Sequence, residues 1–402
     1  MKVLLVSDVP PSTNYTGGLM LDQLVRFLPQ GSVACFSVLD RRVVHPQVAA
    51  DLAWLRIARA DKPRERWNVF PGWRGEALSV VMESLSAALA APALVRRAVR
   101  FGREFGAEAV WCMLQGQTLI RLARPVADDL GVPLLTQVWD PPGWWLRENR
   151  VDRRSARSVL GAFDEALRAS RACAAASGPM AEAYRQRYGV KTVPVMPSLD
   201  PALAQAPATA PRPGPDLVIG MAGQIYARRE WDALIAALDS ADWRLGGRQV
   251  KIRLLGTHTE IRASGKSFIE YLGWRPQAEA IRLLADADLL YCPYWFDREF
   301  EEEARLSFPG KLATYFAAGR PVLVHAPDYA SPARYVSQHR AGRCCDTLEP
   351  KGILDALRGL LDDTSAYAEA ARNGRAAFER DFTLATMSAR FQEFVGAAAP
   401  RS

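Results

Sequence analysis

The sequence predicts an α/β protein of two Rossmann-like domains facing each other across a cleft. Its 402 residues exceed one ordinary core and divide into two domains of roughly 200 residues each. Short apolar runs of strand type alternate with amphipathic helical runs from end to end, the pattern of a parallel sheet covered by helices. Midway, SLDPALAQAPATAPRPGPD at residues 198–216 breaks the alternation with a Pro- and Ala-rich composition suited to a linker. The expected organisation is a first domain over 1–197, a linker over 198–216, a second domain over 217–380, and a C-terminal helix over 381–402 returning towards the first domain.

In the first half, strands are expected at 3–6, 33–38, 109–113, 133–138, 172–176 and 192–196, with helices at 19–28, 78–105, 118–130, 155–168 and 180–188 between them. Residues 45–75, with Trp54, Trp67 and Trp73, do not fit the alternation and read as an insertion over the sheet edge. In the second half the strands are 217–221, 250–255, 268–272, 288–291 and 322–325, and residues 349–396 are mainly helical.

With 49% hydrophobic and 24% charged residues the composition is that of a soluble globular protein. The opening MKVLLVSD is too short in apolar residues for a secretory leader and reads as a first strand. No unbroken run of 18 apolar residues occurs, so no membrane span is expected. The cysteines Cys35, Cys112, Cys173, Cys292, Cys344 and Cys345 show no C-x-x-C pair and no neighbouring His at ligand spacing, as for small core residues in a reducing, cytoplasmic compartment. A net charge of +7 and a pI of about 9.2 favour anionic partners: phosphorylated small molecules, a lipid headgroup surface or nucleic acid.

The most informative stretch is SFPGKLATYFAAGRPVLV, residues 307–324. Pro309 and Gly310 sit where a helix begins, Gly319 where it ends, and Pro321 stops its continuation before an apolar strand. A cation beside a helix N-terminus makes an anion seat, and Lys311 is that cation, with Ser307 and Gly310 in the same loop. Two further loops follow first strands. SDVPPSTNYTGG ends in Gly17-Gly18, where glycine lets backbone approach a ligand; it is not G-x-G-x-x-G, which disfavours a nicotinamide cofactor. VIGMAGQIYARREWDALIAAL places Gly223 at a strand end and Arg228-Arg229 before a helix, suited to bidentate phosphate contact.

WDPPGWWLRENRVDRR, residues 139–154, carries Asp140 at a strand end, either contacting an acceptor hydroxyl or orienting the sugar, or capping a turn. Its Trp144-Trp145 beside arginines suits sugar stacking or a membrane interface, or a hydrophobic flap. In DREFEEEARL, Glu301, Glu302 and Glu303 read first as a solvated acidic helix end. The four histidines make no metal pattern; only His258, after a strand, is expected near a cleft.

These residues resemble the GT-B fold glycosyltransferases, most closely retaining family 4 and its polysaccharide-assembly members. The family's G-R…K-G segment and D-x-L-I-x-A helix are matched by Gly223-Gln224…Arg229-Glu230 and by Asp232, Leu234, Ile235 and Ala237. FPGKLATYFAAGRPVLV is similar to the family's F-G-x-x-x-x-E-A-x-A-x-G-x-P-V and closer to its S-K-L-x-x-Y-x-A-A-G-x-P-V-L variant. ACAAASGPMAEAYRQRYGV resembles its strand-Ser-helix segment and VPLLTQVWD its P-x-x-x-T-x-H-D. The departures are specific: the family's E-x7-E pair falls on Leu306 and Thr314, its first-domain His on Trp139, the Arg of G-R on Gln224, and Arg229 stands in for the Lys.

The resemblance implies donor binding in the second domain through Gly223, Arg228, Ser307, Gly310 and Thr314, aided by Gly18 of the first, with Trp274 stacking on the base, and acceptor binding in the first domain at Trp144 and Trp145. Arg229 and Lys311 would stabilise the departing diphosphate and Asp140 would complete the catalytic set. No D-x-D metal clamp is present, so no metal or other cofactor is expected. Retention by front-face attack, with the departing phosphate oxygen taking the acceptor proton, is likewise implied by the resemblance. The acceptor is a glycan, a lipid-linked glycan or a small molecule, and peripheral contact with the inner membrane face is an option. Other readings are a non-catalytic nucleotide-sugar-binding or scaffold protein, and a nucleotide-sugar epimerase of the same fold. Nucleic acid is not expected, since the basic residues lack a recognised binding module.

Overall fold

A computed structural model describes residues 1–65, 72–256 and 263–399. Expectations that fall on Trp67 and His258 lie outside the described residues. The chain divides into two compact units, residues 1–195 with 388–402, and residues 196–387.

The first unit runs β1 (Val3–Ser7), α1 (Thr16–Arg26), β2 (Val33–Leu39), β3 (Arg56–Asp61), α2 (Trp73–Leu85), α3 (Ala91–Phe105), β4 (Ala109–Met113), α4 (Gly116–Leu130), β5 (Leu134–Val138), α5 (Pro142–Glu148), α6 (Arg153–Ala169), β6 (Ala172–Ala175), α7 (Gly178–Tyr188) and β7 (Lys191–Pro194). All seven strands are parallel, in the order β3-β2-β1-β4-β5-β6-β7. Strands buried on both faces need unbroken apolar runs, and β1 (VLLVS) and β4 (AVWCM) are buried at every position. The region expected as an insertion instead supplies an edge strand, β3, whose RIARAD sequence buries only Ala60, as suits a strand with one neighbour. Ser177 caps α7, its hydroxyl accepting from the Met180 amide at 2.9 Å. Residues 388–402 return to this unit: Phe391 is fully buried with its ring 4.9 Å from that of Trp111.

The second unit runs β8 (Asp216–Ala222), α8 (Arg228–Ser240), β9 (Arg244–Leu245), β10 (Arg248–Leu255), β11 (Ile269–Gly273), α9 (Gln277–Ala285), β12 (Leu289–Pro293), α10 (Glu301–Leu306), α11 (Lys311–Ala317), β13 (Val322–His325), α12 (Ser331–His339), β14 (Gly342–Cys345), α13 (Pro350–Leu361) and α14 (Thr364–Asp381); α15 (Leu384–Gly396) leaves it for the first. Its parallel order is β11-β10-β8-β12-β13-β14, with β9 antiparallel on β10. Alternation along β8 splits its side chains between two cores: Val218 joins Leu284, Leu312 and Phe316, while Leu217, Ile219 and Met221 join Trp231, Leu234 and Leu357.

The stretch expected as a linker is fastened to this second unit. Leu199 donates to the Phe382 carbonyl, Gln205 to Ala317 and Ala208 to Gly319, while the Arg212 amide donates to the buried Asp288 carboxylate at 2.7 Å. Apolar positions and backbone amides that find partners override a linker-like composition. The 307–324 stretch forms the expected loop, two-turn helix and strand, and Gly319 follows α11 with φ +68.

Candidate functional site

In the second sheet the strand order reverses between β8 and β12, so the loops leaving their carboxyl ends diverge and open a crevice. Gly223, just past β8, has φ +85 and donates to the Leu255 carbonyl at 2.8 Å. Gly256, just past β10, has φ +133, and a Cβ there would meet the Gly223 carbonyl at 2.9 Å. Two glycines therefore let adjacent strand ends run against each other and present bare backbone. Buried Tyr315 holds the floor: its hydroxyl accepts from the Ala222 amide at 3.0 Å and donates to the Tyr291 carbonyl at 3.1 Å, tying β8 to β12.

Lys311 begins α11 and points to this loop. Its Nζ donates to the Gln224 carbonyl at 3.3 Å and lies 4.7 Å from the Tyr226 ring centroid. A Cβ on Gly223 would stand 3.7 Å from Lys311 Cε. The side chain is half-buried, no carboxylate among the described residues faces it, and desolvation pulls its pKa down to about 8. An unpaired, partly desolvated ammonium at a strand switch point is suited to an anion brought from solution.

Arg228 and Arg229 are the first two residues of α8 and both are exposed. Arg229, expected to meet the departing diphosphate, pairs through Nη1 with Asp297 at 2.5 Å. The following Glu230 is buried, accepts from the Phe296 amide at 2.7 Å, and so binds the loop after β12 to α8; burial raises its pKa. Behind it the Tyr291 hydroxyl lies 3.0 Å from the Glu230 carbonyl and 2.7 Å from His325 Nδ1. His325 Nε2 donates to the Thr347 carbonyl at 2.7 Å, and burial lowers the imidazole pKa.

Trp274 follows β11 and stands largely exposed, with Gly273 (φ +68) before it and the Gly256 amide bonded to the Gly273 carbonyl at 2.9 Å. That places an open aromatic face on the same sheet edge as Gly223. Thr314 is half-buried on α11, and Gly310 is exposed at its N-terminus. Ser307 is buried with no partner for its hydroxyl among the described residues, and its carbonyl accepts from the Ser331 hydroxyl. The acidic triplet is not uniformly solvated: Glu301 pairs with Arg305 and Glu302 is exposed, but Glu303 is buried within α10.

The first unit holds a separate cavity of about 910 Å³. It lies over the carboxyl ends of β1, β2 and β3, where Asp8, Asp40 and Lys62 each stand just past a strand, and Trp145 and Arg97 close its sides. Burial raises the Asp8 pKa against the opposing charge of Lys62, and its Oδ1 has no hydrogen-bond partner among the described residues. Lys62 pairs with Glu65 at 2.9 Å, and Glu65 also accepts from the Thr118 amide at 2.6 Å. Trp145 lines this cavity, while Trp144 is half-buried on the same short helix. Pro141, not Asp140, occupies the N-cap of α5, and Asp140 is half-buried.

Gly18 is covered by its own loop: a Cβ there would stand 2.0 Å from the Ser12 hydroxyl, so the glycine is needed to close the turn. Trp139, at the position of the family His, packs against Gly17, where a Cβ would meet its ring at 3.0 Å, and its indole N–H has no partner among the described residues. Asp8, Lys62 and Tyr315 were not singled out in the sequence. A carboxylate directly after the first strand was the available signal for Asp8, whereas the roles of Lys62 and Tyr315 depend on strand order.

Residues 216–363 match the family described as Glycosyl transferases group 1. Among solved structures, HepE of Anabaena in complex with UDP is 15% identical with a TM-score of 0.64, covering 99% of this chain and 100% of its own. A sucrose-phosphate synthase of Thermosynechococcus elongatus is 14% identical with a TM-score of 0.67 over the same shares. The UDP-forming α,α-trehalose-phosphate synthase of Burkholderia xenovorans, in complex with glucose-6-phosphate, is 12% identical with a TM-score of 0.64, again over 99% and 100%. No curated protein sequence matches the chain significantly. The fold is the GT-B fold of glycosyltransferases, and the group 1 match spans β8 to α13 of its second unit.

Proposed function

We propose that this chain is a glycosyltransferase that moves a sugar, a hexose in the first instance, from a nucleotide diphosphate to a hydroxyl of a glycan, lipid-linked or small-molecule acceptor. The observation that carries the reading is Lys311: a cation without a carboxylate partner among the described residues, beside the glycine-lined end of β8. The group 1 match over this unit supports it, as does the likeness to HepE, whose structures hold UDP or UDP-glucose.

The donor's diphosphate lies against Gly223 and Lys311, its base against Trp274, and its ribose near Thr314. Thr314 can offer one hydroxyl where a carboxylate would accept two bonds. The bond from the anomeric carbon to the phosphate oxygen breaks as the acceptor hydroxyl attacks. Its proton passes to the departing oxygen, and Lys311 steadies the negative charge that develops there. Arg229 supplies a second charge on release from Asp297, and the reading calls for no metal. With front-face attack the configuration is retained. The acceptor occupies the first unit's cavity, where carboxylates and cations together meet the donors and acceptors of a polyol and Trp145 offers an apolar face.

Calorimetric titration with UDP, GDP, ADP and UDP-glucose, followed by an assay for slow donor hydrolysis, tests the reading. A nucleotide diphosphate should bind, and Lys311→Ala should weaken it by about 1–3 kcal/mol, the scale of a charge-assisted hydrogen bond. Unchanged affinity in that variant removes Lys311 from the site. A second reading, a binding protein without turnover, is favoured by Leu306 and Thr314 at the positions of the family's glutamates. Tight binding with neither hydrolysis nor transfer would select it, and release of an altered nucleotide sugar would select an epimerase.

A further inference from the structure

Helix α2 is amphipathic in the reverse sense. Its buried face is Gly75, Ser79 and Glu83, spaced i, i+4 and i+8, whereas Trp73, Leu78, Val81 and Leu85 face outward with exposures of 74%, 38%, 55% and 48%. Leu89, on the π-helical turn Ser86–Ala90 that follows, continues the ridge at 69%. The inward polar groups are committed. The Ser79 hydroxyl donates to Asp152 at 3.1 Å, and Glu83 accepts from the Gln117 amide at 3.1 Å. Rolling the helix to hide its leucines would break both bonds, so the outward apolar face is fixed by the unit itself.

The helical run from Trp73 to Phe105 is long and apolar enough, by length and composition, to cross a membrane, and only 22% of its apolar window is buried. Its second half does not leave the unit, because Leu94, Val95, Ala98, Val99 and Phe105 of α3 are core residues. The run therefore lies along the surface. The same helical run carries exposed basic residues: Arg74, whose guanidinium is 5.6 Å from the Trp73 ring centroid, and Arg96 and Arg100 of α3, against exposed Glu76 and Glu104; Arg97 and Arg103 are held by the Arg59 and Asp129 carbonyls. An aliphatic ridge with a Trp at one end and exposed arginines on the same helical run matches the boundary between acyl chains and anionic headgroups.

We propose that α2 and the turn after it insert into the interfacial layer of an anionic phospholipid bilayer, with Arg74, Arg96 and Arg100 on the headgroups. Trp144 and Trp145, the sequence-level candidates for a membrane contact, are half-buried by comparison, and Trp145 faces the cavity. The proposal stands whether or not the chain turns over a nucleotide sugar.

Flotation of the full-length protein with vesicles of phosphatidylglycerol and phosphatidylcholine, and with phosphatidylcholine alone, is the test. The protein should float with the anionic vesicles, on the order of tenfold less with the neutral ones. A triple variant, Val81→Ser with Leu85→Ser and Leu89→Ser, should lose roughly tenfold or more of the binding while its melting temperature and nucleotide affinity stay unchanged. Trp73→Ala should weaken binding in the same direction. Wild-type protein that does not float, or a triple variant that floats as well as wild type, would overturn the proposal. So would a dimer in sedimentation velocity that the triple variant dissolves, which would assign the ridge to a second copy of the chain.

Discussion

At the scale of single residues, two groups are held away from their ordinary protonation by burial, with opposite consequences. Lys311 titrates near 8 in the free protein, against 10.5 for an unperturbed lysine. Between those values the unfolded chain binds more protons than the folded one, so this group disfavours folding at pH 7 and the penalty is relieved as pH rises. A bound diphosphate favours the ammonium. Affinity should therefore fall above pH 8, approaching about tenfold per pH unit until the lysine in the complex also deprotonates. Calorimetry of UDP from pH 7 to 10 measures this, and Lys311→Ala should flatten the profile.

Glu83 is displaced upward to about 7, first by desolvation and against the opposing Gln117 hydrogen bond and the charge of Arg121, with Glu65 and Asp152 pushing the same way as burial. A raised carboxyl pKa favours folding below about 4.5, and that contribution is lost as pH rises through about 7. Glu83→Gln keeps an acceptor for Gln117 and removes the titration. Its melting temperature should vary less than wild type between pH 4.5 and 8 and exceed it at pH 8. Equal pH profiles would place Glu83 in a wetter environment than its burial indicates.

At the scale of elements, the candidate donor site is a property of strand ends. Tyr315 belongs to α11, yet its hydroxyl bridges the ends of β8 and β12 and sets the height of the Gly223 loop beside Lys311. Tyr315→Phe keeps the ring and leaves the Ala222 amide without its partner, at a cost of about 1–3 kcal/mol. As a positioning residue it should weaken UDP binding while the slope of affinity against pH, set by Lys311, persists. Loss of that slope would mean that Tyr315 acts on the lysine directly.

Elements also show where reading the sequence succeeds. Strands buried on both faces, such as β1, β4, β8 and β13, are continuous apolar runs between turn residues and are legible as such. The edge strand β3 is not, because exposed positions accept Arg and Asp, and the four-residue β14 (GRCC) is too short to carry a period. Helix α11 is legible from its punctuation by Pro309, Gly310 and Gly319, although Tyr315 looks there like any core aromatic.

At the scale of the whole molecule, the chain's two units are not two consecutive halves. Phe391, near the C-terminus, is buried against Trp111 of the first sheet and has neighbours in Phe27 and Phe394. Phe391→Ala should destabilise the first unit by about 3–5 kcal/mol, the cost of truncating a buried Phe. In calorimetry the first unit's transition should move down while the transition raised by UDP stays in place. A common shift of both would show that the units unfold together.

The sequence by itself determined the two Rossmann-like sheets, most of their strands, and the loops of Lys311 and of Gly223 as separate candidates for an anion site. Apolar runs, helix punctuation and positive-φ glycines act over short stretches of chain, so local chemistry suffices to read them. Only the tertiary structure decided that Arg229 is engaged by Asp297, that Gly18 serves its own turn, that residues 198–216 are bound to the second sheet, and that Asp8, Lys62 and Trp145 share a cavity. Each of those depends on groups far apart in the chain meeting at a strand end or a packed face, and on which charges lose their water when they do.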